Sequence, residues 1–199
     1  GFVTKALIKL EKQPVNLTAM VLGVPDFGSV VRLLDKFGKA LHLTAFEFFD
    51  SVAIDKVLTA GHAKAPFESR TPFYVLLEFE AVSDDVLDTA MNVFESCAEE
   101  GLIEDGVMSQ SLEQLHELWK LRESISETIS VFTPYKNDVS VLITHLGDFI
   151  HDIEKIVKDN YPDFEICWFG HIGDGNLHLN ILKPDNLTKD DFFAKCQTV

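Results

Sequence analysis

Apolar and polar positions change period repeatedly along the chain, and each change predicts an element. Residues 2–10 alternate, with Phe2, Thr4, Ala6, Ile8 and Leu10 against Val3, Lys5, Leu7 and Lys9, the period of a strand. EKQPVN follows as a turn or linker and marks a boundary. Residues 1–12 thus read as a strand continuing from a preceding domain, and 13–199 as a domain with its own core. A strand over 17–23 leads to a helix from Asp26, with Phe27, Val30, Val31, Leu34 and Phe37 at helical spacing. LTAFEFFD predicts a strand, SVAIDKVLTAG a helix and PFYVLLEFE a strand. Ser83, followed by Asp84 and Asp85, predicts a helix start, the hydroxyl capping free N–H groups and the acids suiting the dipole. That helix ends near Gly101. Then come a short strand (DGVMSQ), a long helix over 111–130, the strand DVSVLI and a helix over 145–159 with Phe149, Ile150, Ile153, Ile156 and Val157 inward. A hairpin of 164–170 and 176–183 and a helix from about Thr188 complete the order. With no glycine-rich βαβ fingerprint, the pattern predicts an α+β domain: an antiparallel sheet with helices packed on one face, ferredoxin-like in type.

The stretch FEICWFGHIGDGNLHLNILKP, 164–184, carries the most chemistry. With 173–176 as the turn, counting places His171 opposite His178 and Phe169 opposite Asn180. Directly opposed side chains have Cβ atoms about 4.5–5.5 Å apart. Two imidazoles so placed can ligate one metal ion at about 2.0–2.1 Å each. Alternation puts Ile166, Trp168, Ile172, Leu177, Leu179 and Ile181 on the core face and Cys167, Phe169, His171, His178 and Asn180 on the other. The pair reads either as two metal ligands or as two surface histidines beside a tight turn. A zinc site wants three or four protein ligands. No third stands in this stretch, because Asp174 falls in the turn.

Arg122 lies within the apolar stripe of helix 111–130, formed by Leu112, Leu115, Leu118, Trp119, Ile125 and Ile129, and Ser126 follows one turn later on the same side. A guanidinium on an inward face must meet an anion or carbonyls. It is either a structural partner of one of the acids or a bidentate clamp on a substrate carboxylate. TPYKNDVSV places Lys136 in a turn before a strand, as a solvated cation or a ligand-facing one. His42, His62, His116, His145 and His151 have no partner at ligand spacing. The isolated GDG is no phosphate loop, and no nucleotide site is legible.

Composition narrows the field. Thirty-two acidic residues against 17 basic ones give a net charge of −15, which argues against a nucleic-acid surface. It also makes an inward Arg more telling, since cations are few. Cys97, Cys167 and Cys196 form no motif, and Cys97 falls on a core stripe. That fits a reducing, intracellular compartment, cytoplasm or mitochondrial matrix, with at most peripheral membrane association. No signal peptide or bilayer-length apolar run is present. The chain starts without Met and stops inside the amphipathic run DDFFAKCQTV, so it is expected to be a fragment.

LWKLRESI, YKNDVSV and above all GHIGDGNLHLNI resemble the C-terminal domain of FAD-linked oxidases of the vanillyl-alcohol oxidase type. PFYVLLEFE and GLIEDGVMSQS resemble the D-2-hydroxyglutarate and D-lactate dehydrogenase branch. The resemblance spans the whole chain. It implies that His171 and His178 bind a divalent metal, usually assigned as zinc. It further implies that Asn180 contacts substrate, that Arg122 grips the substrate carboxylate, and that Ser126 and Lys136 stand at family binding positions. FAD, bound mainly by a preceding domain, would take the hydride of a D-2-hydroxyacid, and an unidentified acceptor would take the electrons on. A homodimer is compatible with it. A Glu-His-Gly motif that supplies a third ligand and the base is expected after residue 199, so no catalytic residue is assigned within the chain. Alone, the chain is expected to be inactive. Leu142 stands where relatives have Pro. Two readings of other classes compete: a non-redox, ferredoxin-like ligand- or metal-binding module, and a metal-dependent hydrolase with zinc-bound water on the two histidines.

Overall fold

Three strands of nearly continuous apolar sequence lie side by side in the sheet: β1 (Leu17–Val24), β2 (Leu43–Asp50) and β3 (Phe73–Glu80). A computed structural model describes residues 1–10 and 14–198. Among these, β4 (Asp105–Met108), β5 (Tyr135–Ser140), β6 (Glu165–His171) and β7 (Asn176–Leu182) complete a sheet in the order β4-β1-β3-β2-β6-β7-β5. Every neighbouring pair is antiparallel. The helices are α1 (Phe27–Ala40), α2 (Ser51–Thr59), α3 (Asp84–Glu99), α4 (Leu112–Glu123), α5 (Ile125–Ser130), α6 (Leu146–Asn160) and α7 (Lys189–Cys196). No helix among the described residues is long and apolar enough to cross a membrane.

The α+β class and the antiparallel sheet are as expected, but helices cover both faces rather than one. The reason lies in the central strands. Met20, Leu22 and Val24 of β1 enter one apolar cluster, Ala19 and Val21 the other. A strand apolar on both sides must be covered on both. Helices α1, α3, α6 and α7 bury Phe37, Cys97, Ile150 and Phe192 against the first face. Helices α2, α4 and α5 bury Ile54, Leu118 and Ile129 against the second.

Other departures have local causes. Residues 2–10 form no strand: positions 1–10 are exposed, without helix or strand. Alternation alone does not make a strand, whose N–H and C=O groups need a partner, and no described strand pairs with this one. The linker expected over 11–16 falls partly outside the described residues, which include only its Pro14, Val15 and Asn16. Helix 111–130 divides at Ser124, where the Thr128 hydroxyl donates to the Ser124 carbonyl at 2.7 Å, a back-bond that bends helices. Leu112, counted in its stripe, is exposed. Ser83 precedes α3 as expected but makes no side-chain cap bond, whereas Asp26, Ser111 and Thr188 do cap their helices. Strand β5 starts at Tyr135, so Lys136 stands within it and not in a turn.

The hairpin turn sits one residue earlier than counted. Gly175 N–H donates to the Ile172 carbonyl, and Gly175 takes φ +72°. This is a tight turn followed by a left-handed residue. A Cβ on Gly175 would lie 2.2 Å from the Val141 carbonyl oxygen, so only glycine fits. The pairing follows from that. His171 faces Asn176, and His178 faces Phe169, correcting the expected His171–His178 opposition. Because the register moves by two, parity survives, and both histidines still share one face.

Candidate functional site

Glu47 is the odd residue of β2. Phe46, Phe48 and Phe49 around it are buried and apolar, and Glu47 itself is only 6% exposed. A carboxylate at that depth needs donors. Sheet register brings one: Glu47 lies directly across from His171, whose Nδ1 is 2.6 Å from Oε1. Helix α4 brings the other. Arg122 Nε donates to Glu47 Oε2 at 2.9 Å, and its guanidinium lies over the Phe169 ring, 4.7 Å from the centroid. Arg122 is 8% exposed, so the prediction of an inward guanidinium holds. Burial pulls its pKa down and Glu47 opposes the shift. Among the described residues, its hydrogen bond to protein runs through Nε. The two terminal nitrogens make none.

One turn before, Trp119 Nε1 donates to Glu78 Oε2 at 2.8 Å, while the Thr44 hydroxyl donates to Glu78 Oε1 at 2.7 Å. Helix α4 is therefore tied to β2 and β3 through two buried glutamates. This fixes the rotation of the helix and so the direction of Arg122.

The second histidine has a matching partner. His178 Nδ1 is 2.5 Å from Asp138 Oδ1, directly opposite on β5. A carboxylate only accepts, so each Nδ1 carries a hydrogen, and in a neutral imidazole the lone pair then stands on Nε2. The two imidazole centroids are 5.5 Å apart, with Phe169 4.8 Å from His178. That distance is compatible with one ion about 2.0–2.1 Å from a nitrogen of each ring. Histidines that ligate metals commonly give their other N–H to a carboxylate, as both do here. Two imidazoles are fewer donors than a closed metal site needs, and among the described residues no group of three or more His, Cys, Asp or Glu could hold a metal ion.

The remaining predicted residues divide. Asn180, 2% exposed, lies two residues beyond His178 on the same face and donates to the His178 carbonyl at 3.2 Å. Lys136 is exposed on the edge strand β5, directly opposite Asn180, with its side chain on that face. Ser126 is exposed on α5, and among the described residues no hydrogen bond or ion pair joins it to the cluster. His42, His62, His116, His145 and His151 are all exposed, and Cys97, Cys167 and Cys196 are buried free thiols. Sequence reasoning missed Glu47 and Asp138. A signal existed for the first, an acid inside the apolar run LTAFEFFD. For Asp138 none did.

Comparison with known proteins follows the same lines. The family described as "FAD linked oxidases, C-terminal domain" matches residues 13–192. A D-2-hydroxyglutarate dehydrogenase of Stutzerimonas stutzeri is 59% identical over 199 residues, all of this chain and 43% of that protein. One of Xanthomonas citri pv. viticola is 45% identical, again over all of this chain and 42% of its own length. The chain thus spans less than half the length of these curated relatives. Among solved structures, p-cresol methylhydroxylase superposes with a TM-score of 0.59 at 6% identity, covering 94% of this chain and 42% of that one. At that identity the likeness is one of fold.

Proposed function

Since this chain belongs to the C-terminal domain family of FAD linked oxidases, we propose that it is the substrate- and metal-holding part of an FAD-dependent dehydrogenase. That enzyme oxidises a D-2-hydroxyacid, D-2-hydroxyglutarate or D-lactate, to the 2-oxoacid. One observation carries the reading. Among the described residues, a buried guanidinium with unbonded terminal nitrogens stands beside two imidazoles whose Nε2 atoms have no hydrogen-bond partner.

Each group then has a task. Arg122 holds the carboxylate of the acid through its terminal nitrogens, in the planar geometry that suits a bidentate pair. Phe169 beneath it and the bond to Glu47 keep the fork from swinging. Asn180 and Lys136 lie along the same face, where they meet the substrate's remaining polar groups. His171 and His178 offer Nε2 to a divalent ion, zinc being one of those that imidazole nitrogen suits. Such an ion, when bound, makes the substrate hydroxyl more acidic. The two imidazoles supply two of the three or four ligands such a site wants, so the rest, and the base that takes the proton, are assigned to the longer protein. A flavin, when bound, would supply the hydride acceptor. Its binding belongs to the longer protein too, for this sequence has no glycine-rich dinucleotide loop.

The test is anaerobic. Mixing the full-length flavoprotein with D-2-hydroxyglutarate or D-lactate should bleach the oxidised flavin absorbance, while the L enantiomers should not. A flavin left oxidised by every D-2-hydroxyacid would overturn the reading. The non-redox binding module and the hydrolase both predict that result, and no observation on the chain favours either.

A further inference from the structure

The geometry points to Glu47 as a positioning residue that holds the two halves of the site, carboxylate clamp and metal ligand, on one buried carboxylate. The inference rests on the functional reading above and extends it to a residue outside the expected binding set. Glu47 Oε1 takes the hydrogen of His171 Nδ1, and Oε2 takes that of Arg122 Nε. These partners are 124 and 75 residues away along the chain, and Glu47 is where they meet. Two consequences follow from what a carboxylate is. It cannot donate, so Nδ1 carries a hydrogen and the neutral imidazole keeps its lone pair on Nε2, where a cation can take it. It is anionic and buried, so it offsets the Arg122 charge while engaging only Nε, and the terminal nitrogens remain for a substrate.

A glutamine in this place would invert the arrangement. Its carbonyl can still accept from Arg122, but its amide then donates toward His171 Nδ1. The imidazole hydrogen moves to Nε2, and the lone pair a metal needs is lost. Glu47→Gln is therefore nearly isosteric yet removes the hold on the His171 tautomer and leaves Arg122 a weaker, uncharged acceptor. Asp138, by contrast, is exposed and serves His178 alone.

The experiment uses full-length holoenzyme, wild type, Glu47→Gln and Glu47→Asp, each checked by circular dichroism and flavin absorbance. Zinc affinity is measured by calorimetry on metal-stripped protein, and KM and kcat for D-2-hydroxyglutarate on reloaded protein. Glu47→Gln should weaken zinc binding by about 10–100-fold. It should also raise KM by about tenfold, because the clamp is aimed by an uncharged and weaker acceptor. Glu47→Asp keeps the charge but withdraws the oxygens, and should show both losses at smaller size. It carries the test if the Gln variant does not fold. Wild-type zinc affinity and KM in the folded variants, with only a lowered melting temperature, would mean that Glu47 merely stabilises the fold, and the proposal would be wrong. If wild-type enzyme oxidises no 2-hydroxyacid, the functional reading falls by itself, and the zinc titration still decides whether Glu47 positions His171.

Discussion

Two glutamates on neighbouring strands lie under the same helix and lead to different ends. Glu78 on β3 accepts from Trp119 and Thr44, and each donor spends its only hydrogen there. The network closes, and α4 is fastened to the sheet. Glu47 on β2 accepts from Arg122 and His171, and both partners keep nitrogens that no described residue engages in a hydrogen bond. The depth is similar, 9% exposed for Glu78 and 6% for Glu47. So burial of an acid does not separate structure from function here. What its partners have left over does.

Arg122→Lys should break the comparison most visibly. Lysine keeps the charge and loses the fork, so kcat/KM for 2-hydroxyacid oxidation by the full-length protein should fall by about 2–5 kcal/mol of transition-state stabilisation. Unchanged kcat/KM would show that the Glu47 pair is as closed as the Glu78 network.

Asp50, three residues along β2 from Glu47, sharpens the contrast because backbone groups alone satisfy it. Its oxygens accept from Ala53 N–H and Trp168 N–H at 2.8 and 2.9 Å, with no cation. Burial raises its pKa to about 7, with the two N–H groups pulling it down and the charges of Glu154 and Glu165 adding to the rise. The folded pKa lies above the ordinary carboxyl value of 3.8, so folding favours the protonated form. The stabilisation is complete below that value and is lost as pH rises through about 7. Asp50→Asn removes this titration. The melting temperature of wild type should therefore drop relative to the variant between about pH 4 and pH 8, by the equivalent of roughly 3–4 kcal/mol. A gap between the two curves that does not change with pH would refute the assignment.

The smallest effect should come from Glu78→Gln. Its carbonyl can accept from Trp119, its amide can donate to the Thr44 hydroxyl, and that hydroxyl can rotate to receive it. A stability loss of about 0.5–1.5 kcal/mol is expected in urea unfolding, with KM for the hydroxyacid unaltered. A large rise in KM would place Glu78 with Glu47 and erase the distinction between them.

Much of this was legible beforehand for a physical reason. Elements arise from local periodicity, and the strands and helices from β1 to α7 stand close to where the apolar pattern put them. The side of the sheet on which His171, His178 and Asn180 stand depends only on parity along a strand, and parity survived a turn displaced by one residue. The helical stripe likewise turned Arg122 inward. Long-range pairing was beyond local pattern. Which acid meets the inward arginine, and which carboxylates dress the two imidazoles, depends on register between β2 and β6 and between β5 and β7. No local signal carries that register, because every shift by two residues leaves the alternation unchanged. Packing on both faces and the left-handed Gly175 beneath the Val141 carbonyl choose among those shifts. Only then do Glu47, Arg122 and His171, distant along the chain, share one buried carboxylate.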